Sequence, residues 1–192
     1  MSSIDKTASL AELAGEVKSG MTLGIGGWGA RRKPMAFVRE LIQNSLDAGA
    51  THVSLNLDGR GEYLHIRLED DGCGMDRRII EEHLLVLFRS TKDADHTQIG
   101  GFGVGFVSLF ALDPVAVVID TARYGTHLRV VIDAKRHYTL VEVDEPFEGT
   151  SVELILTLEP AAAATLAHEI YAAVHHWCRY APAEIVLEGE GP

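Results

Sequence analysis

Apolar residues in this chain recur with two different periods. Phe37, Val38, Leu41, Ile42 and Leu46 follow a repeat close to 3.6 residues, which predicts an amphipathic helix over 34–48. Pro34 suits its first turn, where a missing N–H costs nothing, and Gly49 is a natural stop. The period then drops to two. Residues 53–57 and 64–68 alternate apolar and polar side chains around Gly59-Arg60-Gly61, the pattern of a hairpin with one buried face. Asp76 is placed to cap a second helix over about 77–87. Residues 89–106 are glycine-rich and poor in large apolar groups before Phe102, which predicts a loop running into a glycine-started helix. Short β-like runs follow at 115–119, 127–132, 138–143 and 152–156, then an alanine-rich helix over 161–179 and an edge strand near 184–188. Upstream, 8–18 reads as a short helix, 21–25 as a brief strand and Gly26-Gly27-Trp28-Gly29 as a turn. Helix, hairpin, helix and then sheet predict an α+β fold, with one mixed, mainly antiparallel sheet and helices stacked on one face. Residues 1–33 read as an extension richer in glycine, and 34–192 as one domain.

Composition narrows the partners. The chain has 192 residues, of which 46% are hydrophobic, enough to bury one core. No run reaches the roughly 18 apolar residues of a membrane helix, and the first residues lack the basic-then-apolar form of a secretory signal. The net charge of −11 disfavours nucleic acid and anionic membranes as general partners. Cys73 and Cys178 make no disulfide framework, so a cytoplasmic location is expected.

Three segments carry candidate chemistry. In Glu40-Leu41-Ile42-Gln43-Asn44-Ser45-Leu46-Asp47-Ala48, Glu40 and Asn44 lie one helical turn apart on one face, with Asp47 nearby. An asparagine oxygen can ligate Mg²⁺ without adding charge, and a glutamate one turn away can deprotonate a water. A solvated polar face is the alternative. In Asp70-Asp71-Gly72-Cys73-Gly74-Met75, Asp70 ends a strand, where it can accept a hydrogen bond from a purine amino group. Gly72 and Gly74 allow a close turn and Met75 offers a polarizable wall, while Asp71 takes the variable position. An ordinary strand-to-helix turn is the alternative. Gly100, Gly101, Gly103 and Gly105, interleaved with Phe102, Val104 and Phe106, offer backbone N–H groups at a helix start, which favours phosphate. Thr91 and Lys92 precede them as phosphate contacts or a loop tether, and Thr150 is placed to bond a water or Asp70. No P-loop pattern occurs, and no strand sets up a dinucleotide fingerprint. His168-Glu169 lacks the second histidine of a zinc-protease motif, and adjacent His175 and His176 point about 100° apart on a helix.

Taken together, residues 37–158 resemble the GHKL ATPase family, shared by Hsp90-type chaperones, MutL-type repair proteins, type II topoisomerases and sensor histidine kinases. The segment from Glu40 to Thr51 is similar to the MutL and MORC-like branch, and Ile99 to Phe106 looks more like Hsp90. The resemblance implies a Bergerat-type two-layer sandwich that binds ATP and Mg²⁺. Glu40 would be the general base, Asn44 the Mg²⁺ ligand, and Asp70 the acceptor of the adenine amino group. Gly72 and Gly74 would shape the adenine pocket, Thr91 through Gly105 would form a lid over the phosphates, and Thr150 would support adenine recognition. It further implies hydrolysis to ADP as an Hsp90-like or MutL-like chaperone or hydrolase module, a nucleotide-dependent homodimer, and a downstream domain or protein partner that presents a basic residue to the phosphates. A histidine kinase catalytic domain and a non-catalytic regulatory module are the alternatives. Separately, Gly20 to Ala36, within a stretch from residue 8, is similar to the opening of a CoA transferase alpha subunit.

Overall fold

The computed structural model describes residues 33–85, 108–178 and 181–188. Helix α1 (Lys33–Asp47) leads into β1 (His52–Arg60) and β2 (Tyr63–Asp70). A short helix α2 (Arg77–Ile79) continues as one wide π turn over Ile80–Leu84, and a 3-10 segment covers Ser108–Leu112. Four strands follow: β3 (Ala116–Arg123), β4 (Thr126–Asp133), β5 (Tyr138–Val143) and β6 (Gly149–Thr157). Helix α3 (Pro160–Trp177) and strand β7 (Glu184–Glu188) complete the domain. The seven strands form one sheet in the order β5-β4-β3-β6-β2-β1-β7. Every neighbouring pair is antiparallel except β1 and β7, which run parallel. This is the α+β, mainly antiparallel architecture that the alternation predicts.

The two periods build two layers. Val53, Leu55 and Leu57 share a sheet face with Leu64, Ile66 and Leu68, with Val152, Leu154 and Leu156, and with Val117 and Ile119. Phe37, Val38, Leu41 and Ile42 of α1 and Leu166, Ile170 and Val174 of α3 close over that face in one core. The helices also pack against each other. The opposite face is polar. His65 pairs with Glu153 at 2.8 Å, and Arg67 with Glu69 at 2.7 Å. On the same side, Arg129 and His127 both meet the buried Asp120 carboxylate, at 2.7 and 2.9 Å. The His127 ring stacks on Phe147 at 4.8 Å and its Nδ1 lies 3.1 Å from the Glu145 carbonyl, which fixes the approach to β6.

Helix ends follow local chemistry. Gly49 adopts φ 78°, and the N–H groups of Ala48, Gly49 and Ala50 return to carbonyls of the last turn of α1. Asp76 accepts from the Ile79 N–H at 2.9 Å, as its expected capping role requires. Pro160 occupies the first turn of α3.

Two strand limits differ from the sequence reading. The hairpin does not turn at Gly59-Arg60-Gly61. Gly59 pairs with Leu64 and Arg60 with Tyr63, so both strands run on to a tight turn at Gly61-Glu62, with Gly61 at φ 64°. Similarly, β3 continues past residue 119 to Arg123 and turns at Tyr124-Gly125, both at positive φ. Polar Asp120 and Thr121 hide this extension in the sequence, because each has buried partners. The readings for 8–18, 21–25 and Gly26-Gly27-Trp28-Gly29 fall outside the described residues.

Leu154 sits fully buried between Ile66 of β2 and Val117 of β3. Leu154→Ala should destabilise the domain by about 3 kcal/mol, from lost transfer energy plus the cavity left behind. Urea unfolding followed by tryptophan fluorescence and circular dichroism measures the loss.

Candidate functional site

At one end of the helix-facing side the apolar rows give way to polar groups. Val53, Asp70, Thr150, Thr121 and Leu128 stand side by side across β1, β2, β6, β3 and β4. Val53 and Leu128 are buried, so three polar residues fill the middle of an otherwise core position. Asp70 is the charged one. Its Oδ2 accepts from the Ser45 hydroxyl at 2.7 Å, and its Oδ1 from the Gly72 N–H at 2.9 Å. Burial pushes its pKa upward, only partly countered by hydrogen bonds from Ser45 and from the Gly72 and Thr150 backbones. A carboxylate has about four lone-pair positions. These bonds leave acceptor capacity for a donor on a ligand.

Asp71, one residue on, has a different task. It accepts from the Thr51 hydroxyl at 2.6 Å and from the Thr51 and His52 N–H groups at 2.7 and 2.8 Å. The Thr51 hydroxyl, first among these, helps hold its pKa down at about 2. Asp71 thus fastens the start of β1 to the end of β2 and shares no hydrogen-bond partner with Asp70.

The turn after Asp70 is packed against the sheet end. The Cys73 N–H donates to the Ala48 carbonyl at 3.0 Å, and the Met75 N–H to the Thr121 hydroxyl at 2.8 Å. Gly74 has φ 61°, and a Cβ there would overlap the Ala122 carbonyl; Gly149 has φ 77°, and a Cβ there would overlap the carbonyl of Asp70. Both glycines are required by the chain's own backbone before any ligand is considered. Gly72 is tight in a milder way, with Ala48 beside it. Met75 is half-buried against the core edge.

Helix α1 brings the first segment to the same end of the sheet. Ser45 is buried on the apolar stripe, while its neighbour Asn44 is exposed and Glu40 half-buried. Asp47 accepts from Gln43 at 2.8 Å along the helix surface. The Ser45–Asp70 bond therefore joins two motifs 25 residues apart and sets Asn44 one residue from the contact. Thr150 is brought to Asp70 as its cross-strand partner; its hydroxyl lies 3.1 Å from that of Thr121. Thr91, Lys92, Gly100, Gly101, Phe102, Gly103, Val104, Gly105 and Phe106 lie outside the described residues.

Sequence reasoning gave no role to Ser45 or Thr121. A signal was present for Ser45, a polar residue four positions after Leu41 on a buried stripe. Thr121 carried none, because the strand was expected to end before it. Two open clefts lie elsewhere, one beside residues 125–127 and 142–146, the other along Asn56 to Arg60, Arg67 and Glu153; neither includes Asp70. Among the described residues no cluster of His, Cys, Asp or Glu is arranged to hold a metal ion. Among them, also, no helix is long and apolar enough to cross a membrane.

Comparison with known proteins gives two separate similarities. A family model described as histidine kinase-, DNA gyrase B-, and HSP90-like ATPase matches residues 34–153, and a Coenzyme A transferase model matches residues 7–60. The DNA mismatch repair protein MutL of Heliobacterium modesticaldum is 33% identical over 127 residues, covering 64% of this chain and 19% of that protein. MutL of Beijerinckia indica is 33% identical over 130 residues, again 64% of this chain and 20% of the relative. The chain thus spans about a fifth of these relatives. The cholesterol ring-cleaving hydrolase IpdA subunit of Rhodococcus jostii is 60% identical over 42 residues, 22% of this chain and 14% of that protein.

The two adjacent aspartates should respond oppositely to substitution. Asp70 binds its proton more tightly folded than unfolded, so its charge subtracts stability at neutral pH. That deficit disappears as pH falls through the raised folded value toward the ordinary 3.8. Asp70→Asn should therefore raise Tm at pH 7, by an amount that shrinks toward pH 4. Asp71→Asn should lower Tm at pH 7, and its deficit should fade only as pH falls from 3.8 toward 2. Thermal melts of the three proteins across that range check both signs.

Proposed function

This chain belongs to the family of histidine kinase-, DNA gyrase B- and HSP90-like ATPases, which implies ATP binding, and on that premise we propose a Mg²⁺-dependent ATPase site at the α1–β2 end of the sheet. The observation that carries the reading is the 2.7 Å bond from Ser45 to Asp70, which unites the Glu40–Asn44 helix with the half-buried carboxylate. Asp70 accepts one hydrogen of the adenine amino group. Thr150 stands beside it as the second polar group at the purine end. Met75 and the turn around Gly72 and Gly74 line the base. Buried polar acceptors of this kind discriminate strongly, since a base without the matching donor leaves the carboxylate unpaired.

The donor set on α1 fits a hard cation held jointly with phosphate oxygens. Asn44 supplies a neutral oxygen and is exposed, so triphosphate and water can complete the coordination. Mg²⁺ would supply neutralisation of the charge that develops on the phosphates. Glu40, one turn back on the same face, takes a proton from water as the water oxygen attacks the γ-phosphorus. The bond to the bridging oxygen breaks and ADP leaves. Asp47 adds negative potential beside Asn44, and the glycine-rich segment 100–106 with Thr91 and Lys92 supplies phosphate contacts.

The chain spans about a fifth of the MutL relatives, and what the cycle drives is proposed by analogy with them. ATP-dependent pairing of two copies, with a downstream domain or partner protein completing the phosphate end, is the expected arrangement, in the cytoplasm. A second reading concerns residues 7–60, where the 60% identity to the IpdA subunit supports a CoA-transferase-like segment. Titration with CoA tests it directly.

Calorimetry with Mg·ATP should show binding that Asp70→Asn weakens about 10- to 100-fold, the range for a buried hydrogen bond to a charged group. Asn44→Ala should weaken Mg·ATP and leave adenosine binding unchanged. Glu40→Ala should keep ATP affinity and lose about 10²- to 10⁴-fold in turnover. Unchanged binding in both the Asp70 and Asn44 variants would overturn the site, and unchanged turnover in the Glu40 variant would remove the general base.

A further inference from the structure

Thr121 makes more use of one hydroxyl than its place in a strand requires. It is fully buried within the polar middle of the row. Its oxygen accepts from the Met75 N–H at 2.8 Å. It also lies 3.1 Å from the Thr150 hydroxyl and 3.3 Å from the Gly149 carbonyl. A hydroxyl has one proton and two lone pairs. Met75 uses one lone pair, so two arrangements remain. In the first, Thr121 gives its proton to Gly149, and Thr150 must give its own to Thr121. Thr150 then presents only lone pairs to a ligand. In the second, Thr121 gives its proton to Thr150, and the Thr150 proton is free to point outward as a donor.

We infer that Thr121 is a positioning residue that sets whether Thr150 donates or accepts at the base edge, and so tunes which purine the site takes. The inference rests on the nucleotide reading of Asp70. Adenine offers an amino donor next to a ring nitrogen acceptor. Asp70 matches the donor, and the second hydroxyl arrangement supplies a donor for the acceptor, directly or through a water. A 6-oxo purine reverses the pair, placing an acceptor where adenine has its amino group and an N–H donor next to it. Thr121 touches no base itself. It acts through Thr150 on one side and through the Met75 backbone on the other, joining the two segments that wall the purine.

The test compares ATP with inosine triphosphate by calorimetry on the full chain, using wild type, Thr121→Val and Thr121→Ser. The wild type should prefer ATP. The valine variant keeps the side-chain shape but not the hydroxyl. With no partner at 121 the Thr150 hydroxyl can turn either way, so ATP should weaken about threefold while inosine triphosphate does not, and the preference narrows. Serine restores the hydroxyl and should restore the preference, which a purely structural role would not distinguish by base. Should valine not fold, Thr121→Cys, a weaker hydrogen-bonding group of small size, takes its place with the same expected narrowing. An unchanged ATP preference in the variant overturns the inference, as does equal loss of both nucleotides. A wild type that binds neither nucleotide instead overturns the ATP reading itself.

Discussion

A carboxylate held inside the sheet's covered face is the constraint around which this domain is arranged. Asp70 belongs to a cross-strand row whose two ends, Val53 and Leu128, are hydrocarbon. A charge there is unfavourable unless several donors converge on it. The donors are the Ser45 hydroxyl on α1, 25 residues back, and the Gly72 N–H in the adjoining turn, with the Thr150 backbone on β6 alongside. The arrangement lowers the cost of the charge without removing it, as the direction of the Asp70 shift shows. A carboxylate whose pKa is raised by burial is common at functional sites.

Its neighbour makes the contrast plain. Asp71 is solvent-exposed, accepts three short bonds and is comfortable as an anion. One strand residue faces the helices and the next faces out, as the two-residue period demands. The same chemical group thus serves as a fastener on one side and as an acceptor with lone pairs to spare on the other. The surroundings of each carboxylate depend on which side of the strand end it meets.

Much of this was legible in the order of residues. The apolar stripe on α1, the alternation of β1 and β2, the Asp76 cap and the final helix and strand all follow from local periodicity, and their limits agree within a few residues. Glu40, Asn44 and Asp70 stood out because their spacing carries chemistry. What local pattern could not reveal was mutual burial. Thr121 reads as a break in an apolar run until Met75, Gly149 and Thr150 arrive around it from elsewhere in the chain. Ser45 reads as one more polar helix residue until β2 delivers Asp70. The hairpin limit failed for a related reason: three candidate turn residues were visible, but the ladder pairing of Gly59 and Arg60 decides which glycine bends.

The glycines at 74 and 149 have a consequence for how such a domain diversifies. Each fills its place because another backbone carbonyl already occupies the space where a side chain would begin, Ala122 against one and Asp70 against the other. This end of the sheet is consequently a keyed joint. No graded series of side chains leads away from it, since even the smallest step forces the turn from β3 at Gly74 or β6 from β2 at Gly149. Inheritance can vary the surfaces around this joint freely, while the joint itself passes on whole or is lost.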